Sequence, residues 1–142
     1  MVVLVTELLE IDPNECWELL AQCTVGRLAV NLDHRGPLVV PVNFVVVDGY
    51  VVFRSDPGTK LGLIEAGPIG FQVDSIDHGR HTGWSVLVRG VAHEADEWEV
   101  RDIELDPWAG GEKAHWVRLL PTAITGRRVV AGDLPYDDRG YR

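Results

Sequence analysis

The stretch Pro37-Leu38-Val39-Val40-Pro41-Val42-Asn43-Phe44-Val45-Val46-Val47-Asp48-Gly49-Tyr50-Val51-Val52-Phe53 decides the fold. β-Branched residues dominate both arms, and their stiff side chains suit a pleated sheet better than a helix. Between the arms stands Asp48-Gly49, a pair that accepts positive φ at both central positions of a type I′ turn. The reading is an antiparallel hairpin. Pro41 has no N–H to give to a ladder, so it predicts an edge or bulged site. Backbone groups beside it are then open to a ligand.

The second arm runs on through Arg54-Ser55, turns at Asp56-Pro57-Gly58, and meets Thr59-Lys60-Leu61. A planar guanidinium, a point-charge ammonium and two hydroxyls within seven residues suit a phosphate. The helix predicted from Thr59 to Glu65 would add backbone amides and a favourable dipole. Lys60 is one of only two lysines, the other being Lys113. An ordinary solvated Pro-Gly turn accounts for the same letters, so the spacing alone leaves both readings open.

Further out, Asp12-Pro13-Asn14-Glu15 opens a helix as cap, first residue and capping-box partner. Cys16, Leu19, Leu20 and Cys23 recur at helical spacing, and Gly26 reads as the stop. Strands are predicted over Leu28–Val30, Ile69–Val73, Trp84–Ala92 and His115–Val130, with Gly90, Pro121 and Gly126 as breaks or bulges. Asp74 to Thr82 reads as a polar loop, Glu94 to Leu105 as an acidic helix, and residues from about 131 to 142 as a tail. About six antiparallel strands with a central hairpin and a few helices predict a mainly β fold, a small Greek-key-type barrel. The whole chain, 1–142, is read as one domain. No Gly-x-Gly-x-x-Gly follows an early strand, which disfavours a Rossmann fold.

Composition narrows the function classes. The formal charge of −9 repels nucleic acid and anionic membranes at long range, while allowing a small anion in a local cluster. No apolar run reaches the roughly 20 residues of a membrane span. Met1 to Val5 lacks a basic flank, so a signal peptide is not expected, and the location predicted is cytoplasmic. On one helix, Cys16 and Cys23 would lie about 10 Å apart along the axis, too far for a disulfide. They read as core thiols in a reducing compartment.

In order, Val25-Gly26-Arg27-Leu28-Ala29, Pro41-Val42-Asn43-Phe44, Val51-Val52-Phe53-Arg54-Ser55, Gly58-Thr59-Lys60-Leu61, Phe71-Gln72-Val73-Asp74 and Gly83-Trp84-Ser85-Val86-Leu87-Val88-Arg89-Gly90 resemble the pyridoxamine 5′-phosphate oxidase-like flavoproteins. The resemblance is to their short bacterial branch, which includes nitroimidazole-resistance-type proteins, and runs from about Glu15 to Val129. It implies a split β-barrel, a homodimer with FMN at the interface, and an oxidoreductase acting on a small organic substrate. By position, Arg54, Ser55, Thr59 and Lys60 would hold the phosphate and ribityl chain. Pro41, Val42 and Asn43 would line the isoalloxazine, and Gln72, Trp84 and Ser85 would approach it. Trp116 and Arg118 would reach across the dimer. The longer biosynthetic oxidases carry a C-terminal arginine-rich motif that Trp116–Pro121 matches only loosely, so pyridoxamine phosphate is not the expected substrate.

Other readings stay open beside this one. Deazaflavin would use the same cradle, heme has a place in related barrels, and a flavin or heme carrier or sensor needs no catalysis. No catalytic acid or base is identifiable, and no metal site is assigned: Asp74, Asp77, His78 and His81 fit a polar loop as well as a metal set. Hydrolase chemistry finds no Gly-x-Ser-x-Gly and no base beside Ser85. Trp84 is explained by core packing or by stacking on a ligand, and Asn43, odd as a core residue, by partners from a ligand or from neighbouring backbone.

Overall fold

A computed structural model gives the structure of residues 6–56, 59–108 and 114–131. Pro57, Gly58, Lys113 and residues 132–142 of the expected tail lie outside these described residues. Thr59 and Lys60 are described as backbone only.

The hairpin forms as the sequence dictates. β3 (Pro37–Val47) and β4 (Tyr50–Ser55) pair Phe44 with Phe53 and Val47 with Tyr50. Asp48 and Gly49 take φ of 51° and 79° at the turn. Around it stand β1 (Thr6–Ile11), α1 (Pro13–Ala21), β2 (Val25–Asn31), α2 (Thr59–Glu65), β5 (Ile69–Asp77), β6 (Thr82–Glu94), α3 (Glu97–Val100) and β7 (His115–Ala131). The strands make a seven-stranded antiparallel sheet in the order β1-β7-β4-β3-β2-β5-β6, and a β6–β7 ladder closes it into a barrel. The mainly β, barrel-type expectation therefore holds.

The 17 residues of β7 serve three neighbours. Their first part pairs with β4, from His115 to Leu119, and their last part with β1, from Gly126 to Ala131. β6 runs along both parts, with a register shift at Arg89/Gly90 opposite Pro121. A Cβ at Gly90 would sit 2.0 Å from the Leu120 carbonyl oxygen, so only glycine admits this approach. The expected breaks at Gly90 and Pro121 are thus one bulge. Gly126 is no bulge: it pairs regularly with Val86 and Ile11, and a Cβ there would meet Cys16 Sγ at 2.6 Å.

Three further expectations are corrected. Gly26 does not stop α1; it lies inside β2 beneath the Phe71 ring. Asp74 to Asp77 is strand, because it pairs with Thr82 to Ser85 and turns its polar side chains to solvent. Only Glu97–Val100 is helical in the acidic stretch, since His93 and Glu94 are held in the β6–β7 ladder and the capping box starts at Asp96. β1 went unforeseen altogether. Residues 101–108 beyond α3 form a strap without regular structure over the outside of β3 and β4.

Phe44, Phe53, Phe71, Leu28, Val51, Val86, Val88, Val117 and Leu119 fill the barrel at 0–1% exposure. α1 closes one end with Cys16 and Leu20, its N-terminus capped by Asp12 Oδ1 accepting from Asn14 N at 2.9 Å. Glu15 of α1 pairs with Arg128 of β7 at 2.7 Å. Burial, reinforced by Glu15 and Asp12, raises the Cys16 thiol above its ordinary value. The unfolded thiol ionises first, from roughly pH 8.5. Stability present below that pH is therefore lost as pH rises toward the folded value. Melting curves between pH 7 and 10 should fall more steeply for the wild type than for Cys16→Ala, and native Cys16 should resist thiol reagents that label the unfolded chain.

Candidate functional site

Alternation along the strands decides which residues reach the outer wall. On β4, Val51, Phe53 and Ser55 point inward at 0–1% exposure, which turns Arg54 outward. Arg54 Nη1 donates to the Leu105 carbonyl at 2.9 Å, and its guanidinium stacks 4.9 Å from the Trp116 ring of β7. The Ser55 hydroxyl is buried and donates to the Asp56 carbonyl at 3.1 Å. Asn43 of β3 sits on the same outer wall. Its Oδ1 accepts from Trp108 N at 2.7 Å and its Nδ2 donates to the Thr24 carbonyl at 3.4 Å. Both bonds agree on one orientation of the carboxamide. The strap thus holds Asn43 and Arg54 at two points. Thr59 and Lys60 follow at the start of α2, with their side chains outside the described residues.

Toward the other end of β3, Pro41 is exposed, and Val42 leans on the core and offers the wall only its backbone. Pro41 pairs with Arg27 of β2, and Arg27 pairs in turn with Gln72 of β5. Arg27 Nη1 donates to Gln72 Oε1 and Asp74 Oδ2, both at 3.3 Å, and Gln72 Nε2 donates to Asp74 Oδ2 at 2.8 Å. Pro41, Arg27 and Gln72 therefore form one row across the wall. Arg27 was missed as a site residue, although a charge alternating with inward Gly26, Leu28 and Val30 marks an outward position.

Ser85 lies farther along this wall, paired with Asp74 and Arg127. It borders two adjoining open grooves of about 430 and 570 Å³, shared with Arg127. Leu8, Ile76 and Trp84 line the first, and Gln72, Leu87 and Arg89 the second. Trp84 also packs partly against the core.

The sequence-predicted residues thus fall into two groups. Arg54, Ser55 and Asn43 gather near the strap, whereas Trp84 and Ser85 sit near the opposite end of β6. β6 ends at Glu94, just before Ala95 N donates to the Trp116 carbonyl, and nine residue steps of strand separate Ser85 from Glu94, about 30 Å along the strand. Pro41 and Gln72 stand between, joined through Arg27. Arg118 is engaged within its own chain, paired with Glu99 and stacked 3.7 Å from the Tyr50 ring. Asp77 Oδ1 receives the Arg80 amide at 3.0 Å, a turn contact, and His115 meets Glu94 at 2.9 Å. Among the described residues no three His, Cys, Asp or Glu side chains converge as a metal set, and no helix is long and apolar enough to cross a membrane.

Comparison with known proteins matches this architecture. The Mycobacterium tuberculosis protein Rv0080 is 34% identical over 134 residues, covering 88% of each chain. The solved structure of an FAD binding protein from Mycobacterium smegmatis is 36% identical, with a TM-score of 0.66 over 86% of this chain and 98% of that one. An FAD-binding protein from Mesorhizobium loti, 22% identical, shares the fold at a TM-score of 0.68 over 89% of this chain and 99% of its own. The family model described as pyridoxamine 5′-phosphate oxidase matches residues 12–128, and the chain belongs to that family.

Proposed function

We propose that the protein is a homodimeric flavoprotein that binds FMN and exchanges electrons with a small organic substrate. The observation that carries this reading is the outward Arg54 at the end of β4, beside Asn43 and ahead of Thr59-Lys60. This donor set suits the group: a guanidinium and a lysine for a phosphate, a carboxamide and the Pro41–Asn43 backbone for a polar ring edge. The likeness to the Mycobacterium smegmatis FAD binding protein supports a flavin. When bound, the flavin supplies the redox chemistry; the chain orients it, shields it and selects what reaches it.

A second copy would bring the two groups of residues together. The uncovered wall of β5, β6 and β7 favours such a partner, with Leu8 and Ile76 each 60% exposed beside the groove. Ile76→Asp is expected to weaken dimerisation at least tenfold, on the order of the cost of burying an uncompensated charge. Sedimentation velocity reads this directly, and FMN binding should fall with the dimer.

The absorbance spectrum of the purified protein tests the cofactor. Bands of oxidised flavin support the proposal, and extraction with mass analysis separates FMN from FAD or deazaflavin. A Soret band would indicate heme instead. A colourless protein that ignores added FMN would overturn the reading. Bleaching of bound flavin by NAD(P)H, followed by turnover with an acceptor, distinguishes an oxidoreductase from a carrier.

A further inference from the structure

The most exposed large apolar side chain described is Trp108, at 77%. Its main chain is nevertheless anchored. The amide donates to Asn43 Oδ1 at 2.7 Å, and that carboxamide is itself held by Thr24. Three residues earlier, the Leu105 carbonyl accepts from Arg54 at 2.9 Å. Pro107, between the two ties, has a fixed φ and favours an extended Asp106. The strap therefore has little freedom to turn this indole inward, and its side chain faces water beside the outer wall of β3.

Both anchors are residues through which the flavin reading works, one beside the ring and one beside the phosphate. An indole extends roughly 6–7 Å from its Cα, and aromatic rings then pair at centroid separations of about 4.5–7 Å. From an amide bonded to Asn43, that reach covers a flat ring lying on Pro41–Asn43. Resting on the flavin reading, we propose that Trp108 is a cofactor-stacking residue, its indole covering the ring face turned away from β3. Asn43 is then a positioning residue that sets where the indole stands. The strap ties cover to cradle: Arg54 fixes its middle and Asn43 its end.

Other aromatics suit this task less well. Trp98 is 68% exposed but stands over Val45 and Val47, beside the acidic side chains Glu99, Asp102 and Glu104. Trp116 is half-buried and occupied by the Arg54 guanidinium.

The test titrates FMN into the full-length apoprotein and follows flavin fluorescence, which a stacked indole quenches. Wild type should bind FMN with strong quenching. Trp108→Leu should bind roughly five- to tenfold more weakly, as expected for loss of an aromatic pair, and recover much of the emission. Trp108→Phe should keep most of the affinity while recovering emission, and Trp98→Leu should change neither. Unaltered affinity and quenching in Trp108→Leu would overturn the proposal and leave the flavin reading standing. Failure of the wild type to bind FMN would overturn both. Sedimentation separates one more case: a monomeric Trp108→Leu would make the indole an interface residue and would also overturn the proposal.

Discussion

Phe71→Ala is expected to destabilise the protein by about 3–5 kcal/mol, the range for deleting a buried phenyl ring. Phe71 is 0% exposed and packs edge-on against Phe44, with centroids 4.8 Å apart and planes at 70°. Its ring also occupies the space that a side chain at position 26 would need. A Cβ on Gly26 would lie 2.2 Å from Phe71 Cζ. Gly26→Ala alone should therefore be destabilising by overpacking, on the order of 1–3 kcal/mol. In the double variant Gly26→Ala/Phe71→Ala the two costs should not add, because removal of the ring leaves room for the new methyl. Urea denaturation of the four proteins measures the coupling, and strictly additive losses would show that the ring and glycine are independent. The pair matters beyond stability. Phe71 stands opposite Leu28 in the antiparallel pair and its ring reaches diagonally to Gly26, so this inward packing flanks the outward Arg27–Gln72 pair on both sides.

The same alternation explains what could be read from the letters and what could not. The 37–55 hairpin is legible because its signals are local: branched residues, a turn pair and a proline, all within one ladder. β1 was not legible. Glu7 and Glu10 interrupt its apolar pattern, and its order comes from β7, whose pairing residues lie more than a hundred positions away. The acidic stretch after Ala95 has helical composition, yet after Val100 it gives up helix for contacts to Arg54 and Asn43. Propensity yields there to tertiary partners. For the site, residue types near Arg54 were readable because charge in a β-rich run is conspicuous. The distance from Arg54 to Ser85 was not, since only the closed barrel and the bulge at Gly90 determine it. Arg27 was hidden by its role as the middle of a row whose other members come from β3 and β5.

Arg54→Ala is expected to weaken FMN binding by about 1–3 kcal/mol, roughly five- to 150-fold, if its guanidinium makes a charge-assisted contact with the phosphate. The fold should survive. The substitution removes a bond to the Leu105 carbonyl and a stack on Trp116, each worth on the order of 1 kcal/mol or less at a partly exposed site. Two routes to the loss are possible, direct contact with the phosphate and release of the strap, and they predict different ligand profiles. Riboflavin has the ring without the phosphate. A direct contact lowers FMN affinity while leaving riboflavin affinity nearly unchanged. Release of the strap lowers both, because Asn43 and Trp108 then lose their alignment over the ring. Arg54→Lys sharpens the distinction: it keeps the charge but not the planar fork, so it should retain part of the FMN preference while failing to hold the strap as arginine does. Parallel titrations of the three proteins with FMN and riboflavin, alongside melting curves, decide between the routes. Equal FMN affinity in all three would remove Arg54 from the site.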